Sequence, residues 1–370
     1  MNRRRTLRIG PVTIGGGAPV AVQSMTSTDT RDVGATLAQL ARLARAGCEL
    51  ARLAVPDEAA AAALPLIRAR SPLPLIADIH FSSRLAVAAL EAGVAGLRIN
   101  PGNIGGPAHV ARVADAARAH GAVIRVGVNA GSLGRDLCRR FGGPTPEAMV
   151  ESALSHVRLL EAHGFSAIKI SLKSSSVPAT VAAYRLLAQR CDYPLHIGIT
   201  EAGTLFRGAI KSAVGIGILL AEGLGDTLRV SLTHDPEREV EAAWRILGSL
   251  ELRRRGPEII SCPTCGRTEI DLIRLAEAVE ERLRDVPEVF TVAVMGCVVN
   301  GPGEARGADV GLAGGRKRGS LFRKGRVTRA VNGNEEVLLA ALMEEIDAFL
   351  RERRAGAGRA QREPEGKSQG

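Results

Sequence analysis

Short apolar runs alternate with longer amphipathic runs over the first two-thirds of the chain. The β-rich runs fall at Val20–Met25, Leu50–Val55, Leu75–Ile79, Gly96–Asn100, Ile124–Val128, Ala167–Leu172, Leu195–Thr200 and Leu228–Leu232. Between them lie Ala/Leu-rich stretches with helical spacing, such as Ala35–Ala46, Ala108–His120, Pro146–His163, Ala179–Arg190 and Gly208–Glu222, and Pro236–Leu250 follows the last. Strand–helix alternation repeated eight times predicts an α/β fold, an N-terminal TIM-type (β/α)8 barrel, with a doubly wound open sheet as the alternative. No GxGxxG follows the first strand, which argues against a dinucleotide-binding domain.

The pattern changes near Arg253. A charged stretch, ELRRRGPE, reads as a linker. Beyond it come Ile259–Ile260, a loop SCPTCGRT, a helix at Glu269–Arg284, a strand at Phe290–Met295, a Gly-rich basic hairpin and a helix at Glu335–Arg351. The expected organisation is a barrel over residues 1–252, a smaller α+β domain over 253–353, and a disordered tail over 354–370.

Composition narrows the picture. Apolar residues make up 45% of the 370, enough for a sizeable core, while aromatics are only 3%. That balance suits buried parallel strands. The net charge of +10 would suit nucleic acid, but two Tyr, seven Phe and one Trp offer few stacking platforms. The charge is also local: Arg316, Lys317, Arg318, Arg323, Lys324, Arg326 and Arg329 fall between Gly314 and Ala330 with no acidic residue among them. Neither a signal segment nor a membrane span is expected, since Gly15–Gly17 break any apolar region after the basic start and the best apolar stretch, Ala213–Ala221, is too short to cross a bilayer. Six scattered cysteines suit reduced thiols in a cytoplasmic enzyme better than a disulfide framework.

Polar residues cluster at the predicted C-terminal ends of the strands. The runs carry Arg52; Asp78 and His80; Arg98, Asn100 and Asn103; Arg125 and Asn129; Lys169, Ser171 and Lys173; Thr200 and Glu201; Arg229 and Ser231. Active sites of such barrels lie at this rim. Burying cations is costly unless an anion meets them. So many Arg and Lys in otherwise apolar runs point to a phosphorylated substrate; structural ion pairs with Asp78 and Glu201 are the rival explanation.

The C-terminal chemistry centres on Cys262, Cys265 and Cys297, spaced C-x2-C and then 31 residues, with six more residues before Glu304. A structural zinc site would need a fourth ligand, and no His follows His234. A redox CxxC would leave Cys297 without a role. A [4Fe–4S] cluster uses three thiolates and tolerates a weaker fourth ligand, which Glu304 could supply across the NGPG turn. Cys48, Cys138 and Cys191 read as small core residues.

The motifs VQSMT, ADIHF, LRINPGNIG, VGVNAGSL, GITEAG, GDTLRVSL, CPTCGRT and GCVVNGPGEA occur in this order, and the chain resembles the IspG (GcpE) family from about Arg8 to Leu350. The resemblance implies cluster ligands at Cys262, Cys265, Cys297 and Glu304, and diphosphate-binding cations at Arg52, Arg98, Arg125, Lys169 or Lys173, and Arg229. It implies roles near the substrate hydroxyls for Glu201 and Asn300. The implied reaction is the two-electron reductive opening of 2-C-methyl-D-erythritol 2,4-cyclodiphosphate to 4-hydroxy-3-methylbut-2-enyl diphosphate and water. Electrons would come singly from flavodoxin or ferredoxin, with Glu304 yielding its place to substrate oxygen and Glu201 delivering a proton. A phosphate- or pterin-binding barrel with a structural zinc domain is the competing enzyme reading.

Chain geometry adds one expectation. The helix after the eighth strand, about 22 Å long, returns to the bottom of the barrel. A second domain tethered there would cap another subunit's rim, so a homodimer with shared sites is expected. The Arg316–Arg329 segment is the expected face for an acidic electron donor.

Overall fold

The computed structural model describes residues 4–297 and 305–360. The chain packs as two compact units, Met1–Arg254 and Arg255–Gly370.

The first unit opens with a hairpin absent from the predicted pattern, β1 (Leu7–Ile9) and β2 (Val12–Ile14). Gly10, at φ +57, allows its tight turn. Ile9 and Ile14 pack against Ala21, Leu50, Ile76 and Val123, which stand at the first or second position of barrel strands. The hairpin therefore plugs the N-terminal mouth of the barrel.

The barrel strands are β3 (Ala21–Met25), β4 (Leu50–Ala54), β5 (Leu75–Asp78), β6 (Gly96–Ile99), β7 (Val123–Asn129), β8 (Ile168–Lys173), β9 (His196–Ile197) and β10 (Thr227–Leu228). All pair in parallel in the order β8-β7-β6-β5-β4-β3-β10-β9, and a parallel bridge between Ile170 and Leu195 joins the two ends. Helices α1 (Val33–Ala46), α2 (Glu58–Arg70), α3 (Ser83–Glu91), α4 (Pro107–Ala119), α5 (Arg135–Phe141), α6 (Pro146–Glu161), α7 (Val177–Ala188), α8 (Leu205–Ala221) and α9 (Pro236–Ser249) are threaded between them. Asp32, Asp57, Ser82, Thr145 and Ser176 cap α1, α2, α3, α6 and α7 by accepting a backbone N–H, so these helices start sharply after the strand ends.

The last two strands are shorter than their apolar runs predict. Beyond them the backbone finds other partners: Thr200 N–H donates to Ser174 O at 3.3 Å, and Leu232 N–H donates to the Glu239 carboxylate at 3.1 Å. Those bonds replace ladder bonds and turn both segments across the mouth.

The second unit holds a five-stranded sheet, β11 (Glu258–Ser261), β12 (Thr291–Met295), β13 (Val310–Gly315), β14 (Arg318–Arg323) and β15 (Arg326–Asn332). The first three are parallel and the rest antiparallel. Helices α10 (Leu272–Leu283) and α11 (Glu335–Ala360) bury Leu275, Val279, Leu338, Leu342 and Ile346 with the sheet. Helix α10 starts three residues later than predicted, because Asp271 caps it by accepting Arg274 N–H.

The expected tail needs correction. Helix α11 runs past Arg351 and Arg354 to Ala360. Apolar periodicity ends at Leu350, but Arg354 pairs with Glu288 and Arg353 donates to Val289 O, so polar contacts carry the helix onward. Residues 361–370 lie outside those described.

Candidate active site

The strand ends build a cavity of about 180 Å³ at the C-terminal mouth of the barrel. Arg52, Arg98, Arg125, Lys173 and Arg229 bring five cations to its wall. Asn129, Thr200 and Ser231 add neutral hydrogen-bonding groups, and Asp78, His80 and Ser171 complete the lining. Lys169 is not part of it. It shares a face of β8 with Ser171 and Lys173 but lies deeper, fully buried, with Nζ 3.5 Å from Gln23 Oε1. Two glycines make room for the cations. A Cβ at Gly127 would stand 3.0 Å from Arg98 Nε, and one at Gly198 would stand 2.9 Å from Lys173 Nζ and 2.4 Å from Arg229 O.

Charge in this cavity is unbalanced. Asp78 lies 3.5 Å from Arg52 Nε and 3.2 Å from Arg98 Nη1. Burial alone would raise its pKa, but Arg52, Arg98 and Arg125 outweigh burial and hold it below its ordinary value. Glu239, on α9 and 3% exposed, pairs with Arg229 at 3.1 Å. Arg125 has neither carboxylate: its Nη1 donates to Ser171 Oγ at 3.0 Å, and its buried Nε has no partner. Lys173 is buried with no ion pair among the described residues. Burial and then neighbouring arginines push Arg125 and Lys173 well below their ordinary pKa, and Arg52 is pushed down to about 10. Five cations thus face two carboxylates in a place largely closed to water. An anionic ligand with more than one charge is what the arrangement can bind.

Glu201 follows Thr200 in the chain, exposed and at φ +51. A non-glycine residue in the left-handed region is strained, and such strain clusters at working sites. Its carboxylate has no ion pair among the described residues.

Glu239 is a site residue that strand-end reasoning does not reach. Its signal was a carboxylate on the apolar face of α9, alongside Val240, Ala243 and Ile246.

In the second unit, Cys262 directly follows β11 and Cys297 stands two residues after β12. The two strands are parallel neighbours, so both thiols lie at one end of the sheet. Gly296 N–H donates to Cys262 Sγ at 3.3 Å. Cys265 lies in the exposed turn between, where Arg267 N–H lowers its pKa below the ordinary thiol value. Cys297 is buried and Cys262 half-buried. Among the described residues no three Cys, His, Asp or Glu side chains form a site for a single metal ion. Three thiols at one sheet end, with a backbone N–H already donated to sulfur, are a donor set that suits an iron–sulfur cluster, which spreads its ligands over separate irons. Asn300 and Glu304 lie outside the described residues.

The comparisons with known proteins cover both units. The GcpE TIM-barrel domain matches residues 4–244 and the GcpE protein C-terminal domain matches residues 258–348. A protein of Maridesulfovibrio salexigens named 4-hydroxy-3-methylbut-2-en-1-yl diphosphate synthase (flavodoxin) is 64% identical over 356 residues, covering 96% of this chain and 99% of that one. Proteins of the same name from Nitratidesulfovibrio vulgaris and Geobacter sulfurreducens are 65% and 61% identical, covering 95% of this chain and 91% and 99% of their own.

Proposed function

The chain belongs to the GcpE family, and from that premise we propose that it opens 2-C-methyl-D-erythritol 2,4-cyclodiphosphate reductively, in the methylerythritol phosphate route to isoprenoids. The product is (E)-4-hydroxy-3-methylbut-2-enyl diphosphate, formed with water from two electrons and two protons. It is an oxidoreductase with an iron–sulfur cofactor and flavodoxin as donor. The observation that carries the reading is the cavity itself, where Arg125 and Lys173 are buried without a carboxylate of their own. A cyclic diphosphate supplies the missing charge.

In this reading Arg52, Arg98, Arg125, Lys173 and Arg229 grip the diphosphate, and Lys169 adds positive charge from deeper in the barrel. Asn129, Thr200 and Ser231 orient its polar groups. Glu201, one residue beyond Thr200, holds the proton for the hydroxyl that leaves as water. A [4Fe–4S] cluster held by Cys262, Cys265, Cys297 and Glu304 would supply single electrons, and Asn300 would act on the substrate hydroxyls. We place the enzyme in the cytoplasm; its six free cysteines fit a reducing compartment. No described helix is long and apolar enough to cross a membrane.

The working form in this reading is a homodimer. Arg253, one residue before the end of the barrel unit, donates to Val20 O and Glu49 Oε2, each at 2.7 Å, and stacks on Trp244. Val20 and Glu49 immediately precede β3 and β4, so the chain leaves the barrel at the face opposite the cavity. A cluster unit tethered there reaches a second subunit's rim more readily than its own.

Anaerobic purification tests the cofactor: about four irons per chain are expected, and a colourless zinc protein would contradict the reading. Mixing Arg125→Met and Cys297→Ser subunits tests the dimer. Sites shared between subunits restore about a quarter of wild-type activity in a statistical mixture. Sites confined to one chain restore none.

A further inference from the structure

The basic segment of the second unit is not one patch. Helix α11 neutralises part of it: Arg323 pairs with Glu345 and Glu352, and Arg329 with Glu344. The remaining charges divide between two hairpin turns. Arg316, Lys317 and Arg318 form the turn between β13 and β14, where Gly315 pairs with Arg318. Lys324 and Arg326 form the turn between β14 and β15. The turns are matched in kind: Lys317 (φ +52) and Lys324 (φ +47) both take the left-handed conformation, and both are exposed. They flank the two ends of β14, whose six residues span about 17 Å.

Sheet direction makes them different. Strands β11, β12 and β13 run parallel, and Met295 pairs with Ala313. The end of β13 therefore lies at the end of the sheet that carries Cys262 and Cys297. The first turn is fastened there, since Arg316 N–H donates to Glu269 Oε2 at 3.0 Å and Glu269 N–H donates to Gly296 O at 3.0 Å. The second turn is fastened at the other end, through Lys324 N–H to Ala308 O.

Acidic groups also occupy the cysteine end, but they are engaged. Glu269 accepts Arg316 N–H, Asp271 caps α10, Glu335 accepts Asp271 N–H, and Glu336 faces Arg274. The side chains of Arg316, Lys317 and Arg318 have no ion pair among the described residues, and exposed Arg267 adds to the same surface.

We propose that the Arg316–Arg318 turn is the docking surface for the electron donor, gripping an acidic rim around the flavin of flavodoxin. This deepens the proposed function and rests on it. An electron entering the cysteine site must come from a donor on that end of the sheet, and unpaired cations there would steer an acidic protein. The far turn carries similar charge at the wrong end.

The test compares two double charge reversals in the cluster-loaded enzyme, Lys317→Glu with Arg318→Glu and Lys324→Glu with Arg326→Glu. Each is assayed with reduced flavodoxin and, separately, with dithionite, after iron content is matched to wild type. The near-turn variant is expected to raise KM for flavodoxin about tenfold or more and to leave the dithionite rate unchanged. The far-turn variant is expected to change KM less than twofold. Equal effects of the two variants would overturn the proposal, since net charge alone would then matter. Loss of the dithionite rate in the near-turn variant would also overturn it, placing the turn in the catalytic closure. If wild type with dithionite fails to open the cyclic diphosphate, the proposed function itself is at fault rather than the docking surface.

Discussion

Arg229 and Glu239 meet as a two-bonded pair, with Arg229 Nε 3.1 Å from Oε2 and Nη2 3.2 Å from Oε1. The same carboxylate accepts Ser24 Oγ–H at 3.0 Å and Leu232 N–H at 3.1 Å. One buried group thus fixes an arginine, the segment that carries Ser231, and the neighbouring strand β3. Glu239→Gln would turn one acceptor into a donor facing donors. The variant is expected to lose about 2 kcal/mol of stability. KM for the cyclic diphosphate should rise about tenfold with kcat nearly kept, because a gripping arginine is misplaced. A lowered Tm with unchanged KM would reduce Glu239 to a structural role.

Asp78 is the carboxylate between Arg52 and Arg98. Asp78→Asn removes the charge and leaves two buried guanidiniums and the half-buried Arg98 facing one another. The expected loss is about 3 kcal/mol in denaturant unfolding at neutral pH. Inorganic diphosphate should restore more stability to this variant than to wild type, since the anion replaces the missing charge. The pH dependence has a fixed sign. The folded pKa of Asp78 is depressed, so its stabilisation is present above the ordinary carboxylate range and fades as pH falls through the folded value.

Lys173 has the same sign of pH dependence for the opposite reason, since burial disfavours its charged form. Its folded pKa is lowered, so without ligand the unfolded chain binds the proton more tightly, and stability rises with pH between the lowered value and the ordinary lysine range. A bound diphosphate favours the charged amine. Affinity should therefore be highest below the lowered pKa and weaken by up to about tenfold per pH unit above it. Calorimetry in buffers of different ionisation enthalpy would show proton uptake on binding in that window. Proton release would reverse the assignment.

The barrel was legible because its strands are buried on both faces and its helices are amphipathic, so the two periods alternate cleanly along the chain. The rim cations were legible for the opposite reason: Arg98, Arg125 and Lys173 interrupt apolar runs that need no charge for folding. Other features lacked a local signal. The plug formed by Ile9 and Ile14 is a three-residue pairing too short to stand out. Glu239 lies inside α9 rather than at a strand end, and the path from β10 into α9 turns it back onto Arg229. The basic segment read as one hairpin, and what the sequence does not reveal is a further strand, β15, whose pairing with β14 puts a second turn at the opposite end of the sheet. Helix α11 outlasts its apolar stripe because Arg353 and Arg354 find partners on another loop.

Arg125 offers the most direct test of a cavity built for an anionic substrate. It is 3% exposed, its Nε has no partner, and it has no carboxylate of its own. A cation kept there against stability serves the ligand. Arg125→Met, loaded with cluster to the wild-type level, should melt at the same temperature or higher while kcat/KM for the cyclic diphosphate falls about 100-fold or more. A variant that turns over normally, or one that unfolds because the cation was needed for the barrel, would contradict the account.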